Sequence, residues 1–312
     1  MIEGIFSLTF PLSYPVLLFS LTLVFCLTLL FIGTMSSFFF LVLVQCGILR
    51  LKPIADLLHA VCSHLWPDLP GRVKQHLIES FPVEVKGTLP NKGIYLFHPH
   101  GLISLAHMVN IGQKAFSNWP VKKIRGTNLN SLWYSFGIRE MSEGVFVPVL
   151  YPEMKKVLDE GLSLSVSLGG VEEMKYLYKG KIRVKLKTRK GVFRLAIETG
   201  TPLVPVLAYG ENEVCDNYGN WAAFDWINRL LRPIPAHLII PSWPLYEKFL
   251  SIHRKPFDVP VRSVIGEPVQ VGPAREATED DIRLVRSIYI KRLREFYRQT
   301  RPENYADELE VV

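Results

Sequence analysis

The chain has 312 residues, with 36 Lys and Arg against 29 Asp and Glu and a formal net charge of +7. Its four cysteines, Cys26, Cys46, Cys62 and Cys215, are scattered without a CxxC pair, which argues against a disulfide framework or a cysteine zinc site and suits a reducing compartment. A basic balance suits a phosphate-bearing partner such as nucleic acid, an anionic membrane or a phosphorylated cofactor, and a mean hydropathy of +0.18 favours a membrane protein over a free nucleic-acid binder.

No charged residue occurs between Glu3 and Arg50. As continuous helix this run would extend about 69 Å at roughly 1.5 Å per residue, against a bilayer core of about 30 Å. Two segments are therefore expected, Val16–Ile32 and Phe38–Leu51, joined by a turn at "GTMSS", Gly33–Ser37. A hairpin leaves both ends on one side, and Arg50 and Lys52 mark that side as cytosolic. A single span is the alternative, because the second segment is short. A signal peptide would need a basic start and a shorter apolar run. The chain has no N-x-S/T sequon, in keeping with a cytosol-facing catalytic part. Residues 1–51 are thus expected to be a membrane-embedded segment and residues 52–312 a cytosol-facing α/β domain.

Leu57–Leu65 reads as a short amphipathic helix, broken by "WPDLPG", Trp66–Gly71. Ile94–Phe97 is a buried-strand candidate, and Leu102–Val109 continues as helix. Val145–Leu150 is a second strand. "PEMKKVLDEG", Pro152–Gly161, begins with Pro and ends at Gly, as helices do. Leu164–Leu168 is a third strand, ending in Gly169 and Gly170. Phe193–Glu198 is helical and stopped by Gly200, and Pro202–Tyr209 is a fourth strand. Trp221–Leu231 carries aromatics at helical spacing. Asp281–Thr300 is a long basic amphipathic helix whose apolar positions, Ile282, Val285, Ile288 and Leu293, read as core-facing, with a membrane surface as the alternative. Strands alternating with helices predict a largely parallel sheet with covering helices. In such sheets ligands sit beyond the carboxyl ends of the strands. His98, Gly169 and Gly210 all fall at those ends.

In "GIYLFHPHGLISLAH", Gly93–His107, two histidines flank one proline. In an extended chain residues two apart face the same way, Pro99 restricts the backbone between His98 and His100, and Gly101 lets the chain turn into a helix. One chemistry for such a pair is metal binding, which needs further ligands downstream. Only His237 and His253 follow His107, both in loop-like surroundings, so no metal site is expected. The other is general base catalysis, in which a neutral imidazole takes a proton from a hydroxyl that attacks a carbonyl. That base wants a carboxylate to orient it and donors for the developing oxyanion. "SLGGVEEM", Ser167–Met174, offers Glu172 and Glu173 for the first need, and Gly169 and Gly170 allow close backbone approach for the second, as Gly101 does. In "KGKIRVKLKTRKG", Lys179–Gly191, Arg189 and Lys190 precede a glycine that opens a helix, a place suited to the phosphates of a carrier such as coenzyme A. "KKIRGTN", Lys122–Asn128, is a second basic candidate.

In this order, "YLFHPHG", "SLGGVEEM", "RKGVFRLAIETGTPLVPVLAYGENEV" and "SVIGEPVQV" resemble the motifs of the acyl-CoA:diacylglycerol and monoacylglycerol acyltransferase family that carries HPHG, over roughly Lys92–Val271. The resemblance implies a glycerolipid-acyltransferase-like fold after an N-terminal transmembrane hairpin. It also implies an enzyme of the endoplasmic reticulum membrane, multi-pass, with lipid droplets a further location. It would move a fatty acyl group from acyl-CoA, a substrate rather than a cofactor, onto a neutral lipid. Diacylglycerol is the first acceptor, with monoacylglycerol, a long-chain alcohol or a sterol as alternatives. By the same resemblance His100 is the base and His98 its support. Glu173 matches the glutamate of GGxxE, Arg189, Lys190 and Gly191 match RKG, and Glu211 and Asn212 match GEN. The family often reads GGAAES where this chain has GGVEEM, so the choice between Glu172 and Glu173 is open. The HxxxxD of glycerophosphate acyltransferases is absent, since Ile103 and Leu105 stand five residues beyond His98 and His100. Direct transfer is expected, because no GxSxG nucleophile elbow is present. The partners are acyl-CoA, the lipid acceptor and the bilayer, without nucleic acid, and a homo-oligomer is left open. The reading from a different class is a metal-dependent hydrolase using His98 and His100.

Overall fold

The computed structural model describes residues 60–61, 64–65, 67, 83–87, 92–101, 104–112, 123–128, 144–213, 261–305 and 307–312. One sheet holds seven strands: β1 (Val83–Lys86), β2 (Ile94–His98), β3 (Ile124–Asn128), β4 (Phe146–Pro148), β5 (Ser163–Ser167), β7 (Leu203–Tyr209) and β8 (Val261–Ile265). Two short strands, β6 (Arg183–Val184) and β9 (Glu310–Val311), pair with each other. The helices are α1 (Leu105–Gly112), α2 (Tyr151–Asp159), α3 (Gly191–Thr199) and α4 (Glu279–Thr300). The large sheet runs β1-β8-β7-β2-β5-β3-β4, with every pair parallel except β7 against β8. The largely parallel α/β expectation holds.

β2 and β7 are buried at every position because helices cover both faces. Alternation sorts their side chains between two cores. Ile94 and Leu96 of β2, with Leu203 and Leu207 of β7, join the core under α2, α3 and α4. Tyr95, Phe97, Val204, Val206 and Ala208 join the core under α1. In register, Phe97 faces Ser167 on one side and Val206 on the other, and His98 faces Leu207. The carboxyl ends of β5, β2 and β7 therefore stand side by side, which sets the three motif turns next to one another.

α4 begins with a capping box between Thr278 and Asp281, and its first turn carries Glu279, Asp280 and Asp281, which complement the helix dipole. Its buried stripe is Ile282, Val285, Tyr289, Leu293 and Tyr297. Ile288, expected in the core, is instead 42% exposed, as Leu284 is at 59%, because the stripe passes through Tyr289 one residue further on. At the chain's end, β9 pairs with β6. The Val312 N–H donates to the Val184 carbonyl, and the Val312 carbonyl accepts from Leu186 and Lys187.

The expected elements at Ile94, Pro152, Leu164, Phe193, Pro202 and Asp281 are present within a few residues of their expected bounds. Within "KKIRGTN", Ile124–Asn128 is strand β3, largely buried, and Arg125 donates to the carbonyl of Ile124. One compact unit takes Trp66–Trp133 with Gly137–Val312 and holds the sheet; the other takes Met1–Leu65 with Tyr134–Phe136, of which residues 60–61 and 64–65 are described, as helix. The segments Val16–Ile32, Phe38–Leu51 and Trp221–Leu231 lie outside the described residues. Among the described residues no helix is long and apolar enough to cross a membrane.

Candidate active site

β2 delivers its last residue, His98, into the core, where the ring is fully buried and its Nε2 lies 2.9 Å from the Tyr289 hydroxyl of α4. Beyond the cis His98–Pro99 bond the chain surfaces, and His100 is partly exposed. Gly101 follows with φ +59°, and a Cβ there would lie 2.5 Å from Cγ of Glu211, so backbone and space both require glycine. The His100 Nδ1 is 3.0 Å from the Gly101 carbonyl oxygen. A carbonyl can only accept, so Nδ1 carries the proton and Nε2 keeps its lone pair. Burial holds the His100 pKa below its ordinary 6.5; the Gly101 carbonyl opposes this and the Arg189 charge adds to it. The ring is therefore neutral at pH 7, with its basic nitrogen free of the Gly101 bond.

Two buried glutamates fix this loop. Glu173 Oε1 accepts from the main-chain N–H of His100 at 2.6 Å, and Oε2 from that of Lys185 at 2.8 Å. The expectation that a carboxylate orients the imidazole is corrected: Glu173 holds the main chain of His100, and the Gly101 carbonyl fixes the ring. Gly169 makes the room, since a Cβ there would fall 1.8 Å from Glu173 Oε2. Glu211 caps α1, its Oε1 accepting from Leu105 N–H at 2.7 Å and its Oε2 from Ala106 N–H at 2.8 Å. Burial pushes both carboxyl groups up to about 7, opposed by the N–H donors each accepts from. Hydrogen bonds to charged groups contribute about 1.5–3 kcal/mol each, and His100, Leu105 and Ala106 each donate one to these two side chains. Ser104, at φ 53°, adds a 2.7 Å hydroxyl bond to Ser167. Asn212 Nδ2 donates to the Lys181 carbonyl at 2.7 Å, tying the GEN turn to the loop before β6.

Glu172 takes a different place from Glu173. Its Oε2 is 2.6 Å from Lys185 Nζ and 3.4 Å from Arg189 Nη2. Arg189 also donates to the Gly169 carbonyl, and Lys190 Nζ is 2.7 Å from Glu279 Oε2. Both Arg189 and Lys190, expected from the sequence to suit phosphates, thus have protein partners as well. Gly191 opens α3, and Lys190 at its N-cap supplies no side-chain cap, so the first-turn N–H groups remain available. The Gly170 N–H is donated to the Ser167 carbonyl at 3.3 Å, which removes it as an oxyanion donor. The Gly101 N–H makes no hydrogen bond among the described residues and keeps that role open. Among the described residues no group of three or more His, Cys, Asp or Glu could hold a metal ion.

Sequence reasoning assigned no role to Tyr289 or His107. His107 lies in α1 between Phe97 and Phe146, and its Nε2–H donates to the Ser165 carbonyl at 3.1 Å. Burial pushes its pKa to about 4, so it is a neutral core group. The signal that could have been noticed for Tyr289 is a hydroxyl on a core-facing helix position within an apolar stripe. Nδ1 of His98 is already buried without a partner among the described residues. Tyr289→Phe leaves that ring with no hydrogen bond from this pair, and it is expected to cost about 1–3 kcal/mol of stability, read from urea unfolding of the purified chain.

The family model described as Diacylglycerol acyltransferase matches residues 68–309. Diacylglycerol O-acyltransferase 2 of Xenopus tropicalis is 27% identical over a 250-residue alignment that covers 72% of this chain and 66% of that protein. The Danio rerio protein of the same description is 28% identical over the same shares. That of Homo sapiens is 24% identical over 267 residues, 77% of this chain and 66% of the relative. The chain thus covers just under two thirds of the length of these curated relatives. Among solved structures, the 1-acyl-sn-glycerophosphate acyltransferase of Thermotoga maritima is 16% identical over 89% of this chain and 95% of its own, with a TM-score of 0.35, a likeness too slight to carry an argument.

Proposed function

We propose, from the premise that this chain belongs to the diacylglycerol acyltransferase family, that it transfers a fatty acyl group from acyl-CoA to the hydroxyl of a neutral lipid, diacylglycerol first. The observation that carries this reading is the His100 ring, neutral, with Nδ1–H given to the Gly101 carbonyl and Nε2 left basic. In the reaction Nε2 accepts the proton of the acceptor hydroxyl as its oxygen attacks the thioester carbonyl. The C–O bond forms, and the oxyanion takes the N–H of Gly101. Collapse breaks the C–S bond, and the departing sulfur takes the proton from the imidazolium. Electrostatic support of an oxyanion is typically worth about 2.7–4 kcal/mol per donor. Arg189, Lys190 and the open start of α3 at Gly191 supply positive potential for the coenzyme A phosphates. The endoplasmic reticulum membrane is the proposed setting, with the acceptor entering from the bilayer.

Replacing Arg189 and Lys190 together with Ala is expected to raise the apparent KM for acyl-CoA more than that for the acceptor. Two saturation curves, one per substrate, check this; an unchanged acyl-CoA curve removes the two residues from the donor site. The reaction itself is tested on membranes expressing the chain, given labelled acyl-CoA and a panel of diacylglycerol, monoacylglycerol, a long-chain alcohol, a sterol and lysophosphatidate. Labelled triacylglycerol is expected as the main product. Preference for lysophosphatidate, or no acceptor-dependent product, overturns the reading.

A further inference from the structure

We propose that Glu172 is a resident carboxylate seated between Lys185 and Arg189 in place of a phosphate, and that acyl-CoA must displace it to bind. This rests on the acyl-transfer reading above and concerns donor binding at the same site. The main chain that carries Lys185 and the guanidinium of Arg189 are positioned by groups other than Glu172. The Lys185 N–H is held by Glu173, and the next N–H, of Leu186, by the Val312 carbonyl. The Arg189 guanidinium sits on the Gly169 carbonyl, and the Arg189 carbonyl accepts from Arg286 at 3.2 Å. Nε of Arg189 is buried and has no hydrogen-bond partner among the described residues, so the guanidinium keeps a donor that they do not use. The pair adjoins the base, since the charge of Arg189 acts on both His100 and Glu173.

Glu172 meets the two cations at its tip, at 2.6 and 3.4 Å, and its side chain is 49% exposed, against 23% for Lys185 and 31% for Arg189. Ion pairs this exposed are weak and exchange readily, so the carboxylate can swing into solvent. A phosphate with more charge and three oxygens is a stronger partner for an arginine fork than one carboxylate oxygen. With the donor absent, Glu172 keeps Lys185 and Arg189 from repelling each other. With the donor present it competes. Removing its charge therefore strengthens donor binding, the opposite of what loss of a binding or catalytic carboxylate does.

The test is calorimetric titration of the full chain in detergent with free coenzyme A, comparing wild type, Glu172→Gln, Glu172→Ala and Lys185→Gln. Both Glu172 variants are expected to bind about three- to tenfold tighter, the size of one or two exposed ion pairs, and Lys185→Gln is expected to bind more weakly. Unchanged or weaker binding by both Glu172 variants, with wild type binding normally, overturns the proposal and leaves the acyl-transfer reading standing. Full affinity in Lys185→Gln overturns it as well. Tighter binding of phosphatidylcholine vesicles containing phosphatidate, with no change for coenzyme A, assigns the displacing phosphate to a lipid and overturns the donor assignment. If no variant binds coenzyme A, the acyl-transfer reading falls too.

Discussion

His100→Ala is expected to cut acyl transfer about 10²- to 10⁴-fold, the usual worth of a positioned general base, with protein level and melting near those of wild type. The ring is partly exposed, and its one hydrogen bond among the described residues is to the Gly101 carbonyl. Its removal therefore strips a proton acceptor without leaving a buried charge unpaired. The main-chain N–H of His100 keeps its bond to Glu173 in the variant, so the loop has reason to hold its path. His98→Ala differs in kind. That ring is fully buried against Tyr289, and its loss opens a cavity, so the main effect is on stability. Initial rates on quantified protein, paired with thermal melts, separate the two. Near-wild-type turnover by His100→Ala places the base elsewhere.

Glu173→Gln is expected to be the second most damaging change. The carboxylate accepts two main-chain N–H groups, one on each oxygen. A glutamine has one acceptor oxygen, so its NH₂ must face either the His100 or the Lys185 N–H, donor against donor. Losing one charge-assisted bond costs about 1.5–3 kcal/mol. If His100 bears that loss, the rate falls by about 10- to 150-fold. Glu172→Gln touches no main-chain donor of the loop and is expected to leave turnover far less affected. Matched assays and urea unfolding of both variants check the ranking, and the reverse order moves the supporting role to Glu172.

Much of the fold is legible because its central strands are short apolar runs closed by punctuation. "IYLFH" ends at a proline, "SLSVS" runs into Gly169 and Gly170, and "LVPVLAY" into Gly210. The three motif turns could be grouped from that pattern alone. β1, β3 and β8 escape it. "IRGTN" and "VRSVI" interleave polar residues, so their strand character comes from sheet neighbours and not from local composition. The two histidines, Glu173 and Glu211 were legible as residues, but not in what they touch. A GGxxE motif says that a carboxylate stands near the base; it does not say that the contact is to the main chain. The His98–Tyr289 pair spans 191 residues of sequence, and helical periodicity gives a buried face without naming the hydroxyl that meets a particular ring. The same periodicity placed Ile288 in the core, one position away from the residue that is there. Arg189 and Lys190 were visible as cations, while their partners Glu172, the Gly169 carbonyl and Glu279 become neighbours only in the fold.

The pH dependence of kcat/KM tests the role of His100 most directly. Labelled acyl transfer to diacylglycerol is measured from about pH 5 to about pH 9, a range that brackets an imidazole, on wild type and His100→Gln. The base works unprotonated, so raising the pH activates it. Because burial holds the His100 pKa below 6.5, the wild-type rate is expected to rise with pH through an ionisation below 6.5, and a further change near pH 7 belongs to the Glu173 and Glu211 carboxyl groups. The residual activity of His100→Gln is expected to lack that rise. A wild-type rate that falls as pH increases through this range, or an acid limb that survives unchanged in His100→Gln, contradicts general base catalysis by His100.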